Sequence, residues 1–141
     1  AYAVLKLASG AELPVVVVLS GSMKPTFRKG DLLFLTRSAD DVVRVGDVIV
    51  FKLSDDQTPV VHRVLNAHRR QRDEHTHTEL LTKGDHNRHH DHTLYPPGER
   101  WLRNDAVVGT VRAYLPYVGR LTLIAHDFPL LRWATVFNLL A

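Results

Sequence analysis

Short apolar runs rich in β-branched and aromatic residues recur at Val15 to Leu19, Leu32 to Thr36, Val48 to Leu53, Val60 to Leu65, Leu80 to Thr82 and Ala106 to Tyr114, each bounded by Gly, Pro, Asp or Asn. Such runs between turn residues predict strands, and their spacing predicts a mainly β domain. Three breaks share one form, Lys29-Gly30-Asp31, Val45-Gly46-Asp47 and Lys83-Gly84-Asp85. Gly supplies a positive φ and Asp bonds nearby backbone, so all three are expected as corners. The stretch Asn66 to Glu79, NAHRRQRDEHTHTE, is polar, Gly-free and without a strong period, which predicts a solvated excursion between strands. Behind Pro129, residues Leu130, Leu131, Ala134, Phe137 and Leu140 fall at helical spacing, so a C-terminal amphipathic helix is expected over 128–141. Packing on its own domain is its default role, although Trp133 and Arg132 also suit a lipid headgroup boundary.

Composition narrows the class. A chain of 141 residues suffices for one domain with a real core, and an apolar fraction of 45% argues against disorder. The net charge of +3 comes from basic residues scattered among acidic ones, so no single basic face points to nucleic acid. Without cysteine there is no disulfide, no thiolate zinc site and no thiol nucleophile. No run reaches the ~18 apolar residues of a membrane span. The opening AYAVLKLASG lacks an initiator Met, which fits a trimmed chain whose anchor lies upstream.

One apolar run ends in VLSGSMKPT, Val18 to Thr26. A serine hydroxyl is a weak nucleophile until a base takes its proton, and that base works best when a third group fixes its tautomer. The strand before Ser22, Gly21 beside it and Pro25 after it would hold its oxygen rigidly at a strand end. No Gly-x-Ser-x-Gly elbow occurs, so another serine class is required. The candidate base is His62 in PVVHRVL, a polar ring inside an apolar pattern; its plain alternative is a core histidine satisfied by backbone. Two carboxylates suit the third position, Asp85 in KGDHN and Asp91 in RHHDHTLY. Asp85 also reads as a turn cap like the other two Gly-Asp corners, which favours Asp91.

SGSMKPTFRKGDLLFL, VRVGDVIVF, PVVHRVL, LLTKGDHN and the Asp91 to Tyr95 stretch, in this order and spacing, together resemble type I signal peptidases from about Pro14 onward, nearest the eukaryotic endoplasmic-reticulum form. The resemblance implies a membrane-anchored β domain with a lumenal catalytic face, working with accessory subunits of a complex on preprotein signal peptides cut after small residues. It implies no cofactor and no nucleic acid. On the matching positions Ser22 is the nucleophile, His62 the base where bacterial relatives carry lysine, and Asp91 the third member. Asp85 would orient the site from behind, and the Ser20 hydroxyl would help hold the oxyanion. Residues 1–8 would trail the membrane anchor. Lys24 stands where an acidic residue is common, and His90-Asp91 where an Asp pair is common.

An extended peptide is expected to add as a strand beside Pro14 to Leu19, with contacts to Val16, Val18 and Met23. Three other readings compete. His75, His77, His86, His89, His90 and His92 are dense enough for an imidazole-bound Zn²⁺ or Cu²⁺, although no helical His-Glu-x-x-His is present. A second is a non-catalytic adaptor of the same complex, although all three relay residues are present. The third is a Ser-Lys self-cleaving repressor, against which His62 occupies the base position and no DNA-reading helix pair is visible.

Overall fold

The computed structural model describes residues 3–5, 15–37, 42–72 and 75–118. Their strands are β1 (Ala3–Leu5), β2 (Val15–Val17), β3 (Leu32–Thr36), β4 (Val48–Phe51), β5 (Val60–Arg72), β6 (His75–Lys83), β7 (Leu102–Arg103) and β8 (Val107–Leu115). They form one antiparallel sheet in the order β1-β2-β3-β8-β4-β5-β6-β7. The mainly β expectation holds. The helix expected over 128–141 lies outside the described residues. Ala3–Leu5, within the stretch read as trailing an anchor, is an edge strand on β2. Among the described residues no helix is long and apolar enough to cross a membrane.

Strand alternation sends side chains to both faces of β4, and both faces are covered. Val48 and Val50 join Val16, Val18, Met23, Phe27, Leu33, Leu35 and Val61 in one apolar cluster. Ile49 and Phe51 join Val43, Val64, Leu80, Tyr95, Leu102 and Val107 in the other. Register shifts at Phe34/Leu35, Val50/Phe51 and Val64/Asn66 mark where the sheet bends. The serine segment therefore rests on the first cluster, while the His62 ring lies against Phe51 of the second.

Two sequence expectations change here. Asn66 to Glu79 is ladder, not a solvated excursion: β5 and β6 pair from Arg63↔Lys83 out to Arg72↔His75. Polar residues on both faces hid this, because the outer hairpin lies beyond the core and is held by backbone bonds and cross-strand pairs such as His68 opposite Glu79. The three Gly-Asp breaks are also not equivalent. Gly30 and Gly46 have φ of 95° and 93°, and Asp31 and Asp47 each accept a bond from the backbone N–H three residues earlier, at 2.9 Å. Gly84 is not among the positive-φ glycines, and Asp85 is engaged elsewhere.

Candidate active site

Ser22 stands in the turn that follows β2, one residue before Met23, whose buried side chain anchors the turn in the first cluster. Burial of such a side chain is worth about 1.5–3 kcal/mol, so the hydroxyl is carried on a fixed base. Phe27 N–H donates to Met23 O at 3.0 Å and closes the turn. The hydroxyls of Ser20 and Ser22 lie 3.2 Å apart.

His62 sits on β5 and is only 4% exposed. Its Nδ1 bonds Oδ2 of Asp91, a residue 3% exposed that opens a short 3₁₀ turn, Asp91–Thr93. With a carboxylate as the acceptor, Nδ1 carries the proton and Nε2 is left as the basic nitrogen. Thr82 donates its hydroxyl to the same Asp91 oxygen at 2.7 Å. The Tyr95 hydroxyl in turn lies 2.9 Å from the Thr82 hydroxyl and accepts the Thr82 N–H at 2.9 Å. Burial pushes the Tyr95 phenol above its ordinary range, which keeps it a donor. The result is a closed line of polar groups, Tyr95 to Thr82 to Asp91 to His62.

Gly84 brings the two halves together. A Cβ placed on it would stand 2.7 Å from the Ser22 carbonyl oxygen and 2.8 Å from His62 Nε2, so that nitrogen faces the serine turn across a position only glycine fits. His86 N–H donates to the same Ser22 carbonyl at 2.8 Å and ties the two loops.

Asp85 is not at the imidazole. It receives two bonds from Arg63, Nε to Oδ1 and Nη2 to Oδ2 at 2.9 Å each, and one from the Thr26 hydroxyl at 2.5 Å. The Arg63 bonds hold its carboxyl below the usual range and outweigh the opposing effect of burial. Arg63 also donates to Gly46 O at 2.8 Å, so this clamp joins the serine turn, β5 and two loops.

The expected peptide contacts need correcting. Val16, Val18 and Met23 are each 1% exposed and belong to the core, where a bound chain cannot touch them. β2 also has a neighbour on each edge, β1 and β3, so no peptide strand can add beside Val15–Val17. Leu19 and Ser20, just beyond, are half-buried and accessible. Thr82 and Tyr95 were not singled out from sequence; the signal was present in Leu80-x-Thr82, where alternation places a β-branched polar residue on the buried face.

His68 and His77 bond Glu79, the rings of His90 and His92 meet edge to face, and among the described residues no group of three or more His, Cys, Asp or Glu is placed to hold a metal ion.

Comparison with known proteins shows what the chain as a whole is similar to. The model of the family described as "Signal peptidase, peptidase S26" matches residues 1–67, which include Ser22 and His62. The signal peptidase complex catalytic subunit SEC11C of Rattus norvegicus is 46% identical over 128 residues, 91% of this chain and 65% of that protein. The signal peptidase complex catalytic subunit sec11 of Dictyostelium discoideum is 44% identical over 135 residues, 96% of this chain and 73% of that protein. The chain thus spans somewhat under two thirds of the length of the rat relative. It belongs to the signal peptidase family of these catalytic subunits.

Proposed function

We propose that this chain is the catalytic domain of a serine endopeptidase that removes N-terminal signal peptides, with Ser22 as nucleophile, His62 as general base and Asp91 as the acid that orients the base. The observation that carries the reading is the buried His62–Asp91 pair, whose second ring nitrogen is turned toward the Ser22 turn across Gly84.

In this mechanism Ser22 Oγ attacks the scissile carbonyl as His62 Nε2 takes its proton. Asp91 stabilises the resulting imidazolium, held in place by the Thr82 hydroxyl. The Ser22 N–H and the Ser20 hydroxyl, already 3.2 Å from Ser22 Oγ, receive the developing oxyanion. His62 then protonates the leaving amine, and water frees the acyl-enzyme. The peptide's acyl side lies along Leu19 and Ser20, which follow directly on the buried run Val15 to Val18, and small side chains are the ones admitted there. No cofactor is required.

The setting is a membrane complex of the endoplasmic reticulum, with accessory subunits, a lumenal catalytic face and preproteins as substrates. Relatives named as catalytic subunits of a signal peptidase complex support this part of the reading. The test is preprotein cleavage by the full-length protein in its complex. Ser22→Ala is expected to lower cleavage by a factor on the order of 10⁴ or more without moving the thermal midpoint. Retained cleavage would overturn the assignment and leave a non-catalytic adaptor.

A further inference from the structure

Lys24 follows the nucleophile by two residues and is exposed. It folds back over Gly21: the position of a Cβ on Gly21 lies 3.3 Å from Lys24 Cε, 3.6 Å from Cδ and 3.7 Å from Nζ. The aliphatic stem thus occupies the space a side chain at residue 21 would take, between Ser20 and Ser22, and the Lys24 N–H donates to Gly21 O at 3.2 Å. Its ammonium therefore lies over Gly21, between Ser20 and Ser22 in the chain.

The facing loop is also cationic. His86, bonded to the Ser22 carbonyl, is flanked by Arg88, which is exposed, and by Lys83, whose Nζ donates to Gly84 O at 2.9 Å. The two carboxylates nearby do not balance this charge, because Asp85 is matched by Arg63 and Asp91 is buried against His62. Among the described residues no carboxylate lies within ion-pair reach of Lys24 or Arg88.

We propose that Lys24, together with Arg88 on the loop bonded to the Ser22 carbonyl, is a specificity-determining residue that favours peptides carrying Asp or Glu immediately after the scissile bond. This rests on the reading of Ser22 as nucleophile. If the acyl side lies along Leu19 and Ser20 and the scissile carbonyl stands at Ser22, the leaving side passes over the turn after Ser22 and the loop from Gly84 to Arg88. Those are the surfaces that carry the cations. Charges this exposed change rates modestly, about two- to fivefold, and weaken as salt screens them.

The experiment uses the full-length protein in its complex and two peptides that are identical through the cut and carry Asp-Asp or Lys-Lys directly after it. The expected result is a kcat/KM about two- to fivefold higher for the Asp peptide at low salt, a smaller ratio at high salt, loss of the ratio in Lys24→Gln and its inversion in Lys24→Glu. An unaltered thermal midpoint in both variants would confirm that folding is not the cause. Equal cleavage of the two peptides by the unaltered protein, or a ratio that survives both substitutions, would overturn the inference while leaving Ser22 as nucleophile. If Ser22→Ala cleaves both peptides as the unaltered protein does, the functional reading fails first and this inference with it.

Discussion

Tyr95, Thr82, Asp91 and His62 are each at most 5% exposed, and each is hydrogen-bonded to the next. A buried polar group left without a partner costs about 1–3 kcal/mol, so a line this deep persists only because every member is satisfied. Gly84 is the residue on which the site depends most narrowly. A methyl there would meet the Ser22 carbonyl at 2.7 Å, His62 Nε2 at 2.8 Å and Asn87 Nδ2 at 2.7 Å, and two of these neighbours belong to the proposed machinery. Gly84→Ala is expected to cost about 1–3 kcal/mol of stability by urea denaturation, as overpacking does, and to lower cleavage more than tenfold by displacing imidazole from serine, on the order of a small misplacement of reacting groups. Unchanged kinetics would show that the loops yield at no cost. His62 was legible in the sequence because a polar ring inside PVVHRVL breaks an apolar pattern. Thr82 was not singled out, since threonine belongs in a strand whether or not its hydroxyl bonds a carboxylate.

At the scale of elements, Arg63 on β5 and Asp85 after β6 join to Thr26 in the serine turn, so one ion pair ties that turn to the end of the β5–β6 ladder. Asp85 has its pKa lowered from 3.8, first by the Arg63 hydrogen bonds, with Thr26 adding to the effect. A carboxyl depressed on folding contributes stability that is complete above the unfolded value and is lost as pH falls below it through the folded value. Melting curves of the native protein and Asp85→Asn should therefore differ by a constant margin above about pH 4 and converge below it. A margin independent of pH would show that the carboxylate's charge plays no part. The outer β5–β6 hairpin illustrates what pattern alone misses: period-2 alternation is a signature of one buried face, and a hairpin beyond the core has none to display.

Over the whole molecule, the sheet buries both faces at β4 and so places the serine turn on one core and the His62 ring on the other. Strand positions were readable from apolar runs because each is a local property. The insertion of β8 between β3 and β4 was not, since it depends on pairings distant in sequence. The same limit bears on the peptide contacts expected at Val16, Val18 and Met23: an apolar run predicts a strand, but not that these side chains are buried or that β1 and β3 pair both edges of Val15–Val17. The choice between Asp85 and Asp91 was likewise a question of three-dimensional neighbours, and the central claim is that Asp91 serves the base while Asp85 holds the scaffold. Cleavage of a preprotein by Asp91→Asn and by Asp85→Asn, in the full-length protein within its complex at neutral pH, tests this most directly. The relay predicts a fall on the order of 10³–10⁴ for Asp91→Asn and no more than about tenfold for Asp85→Asn. A near-native rate for Asp91→Asn beside a collapsed rate for Asp85→Asn would contradict it.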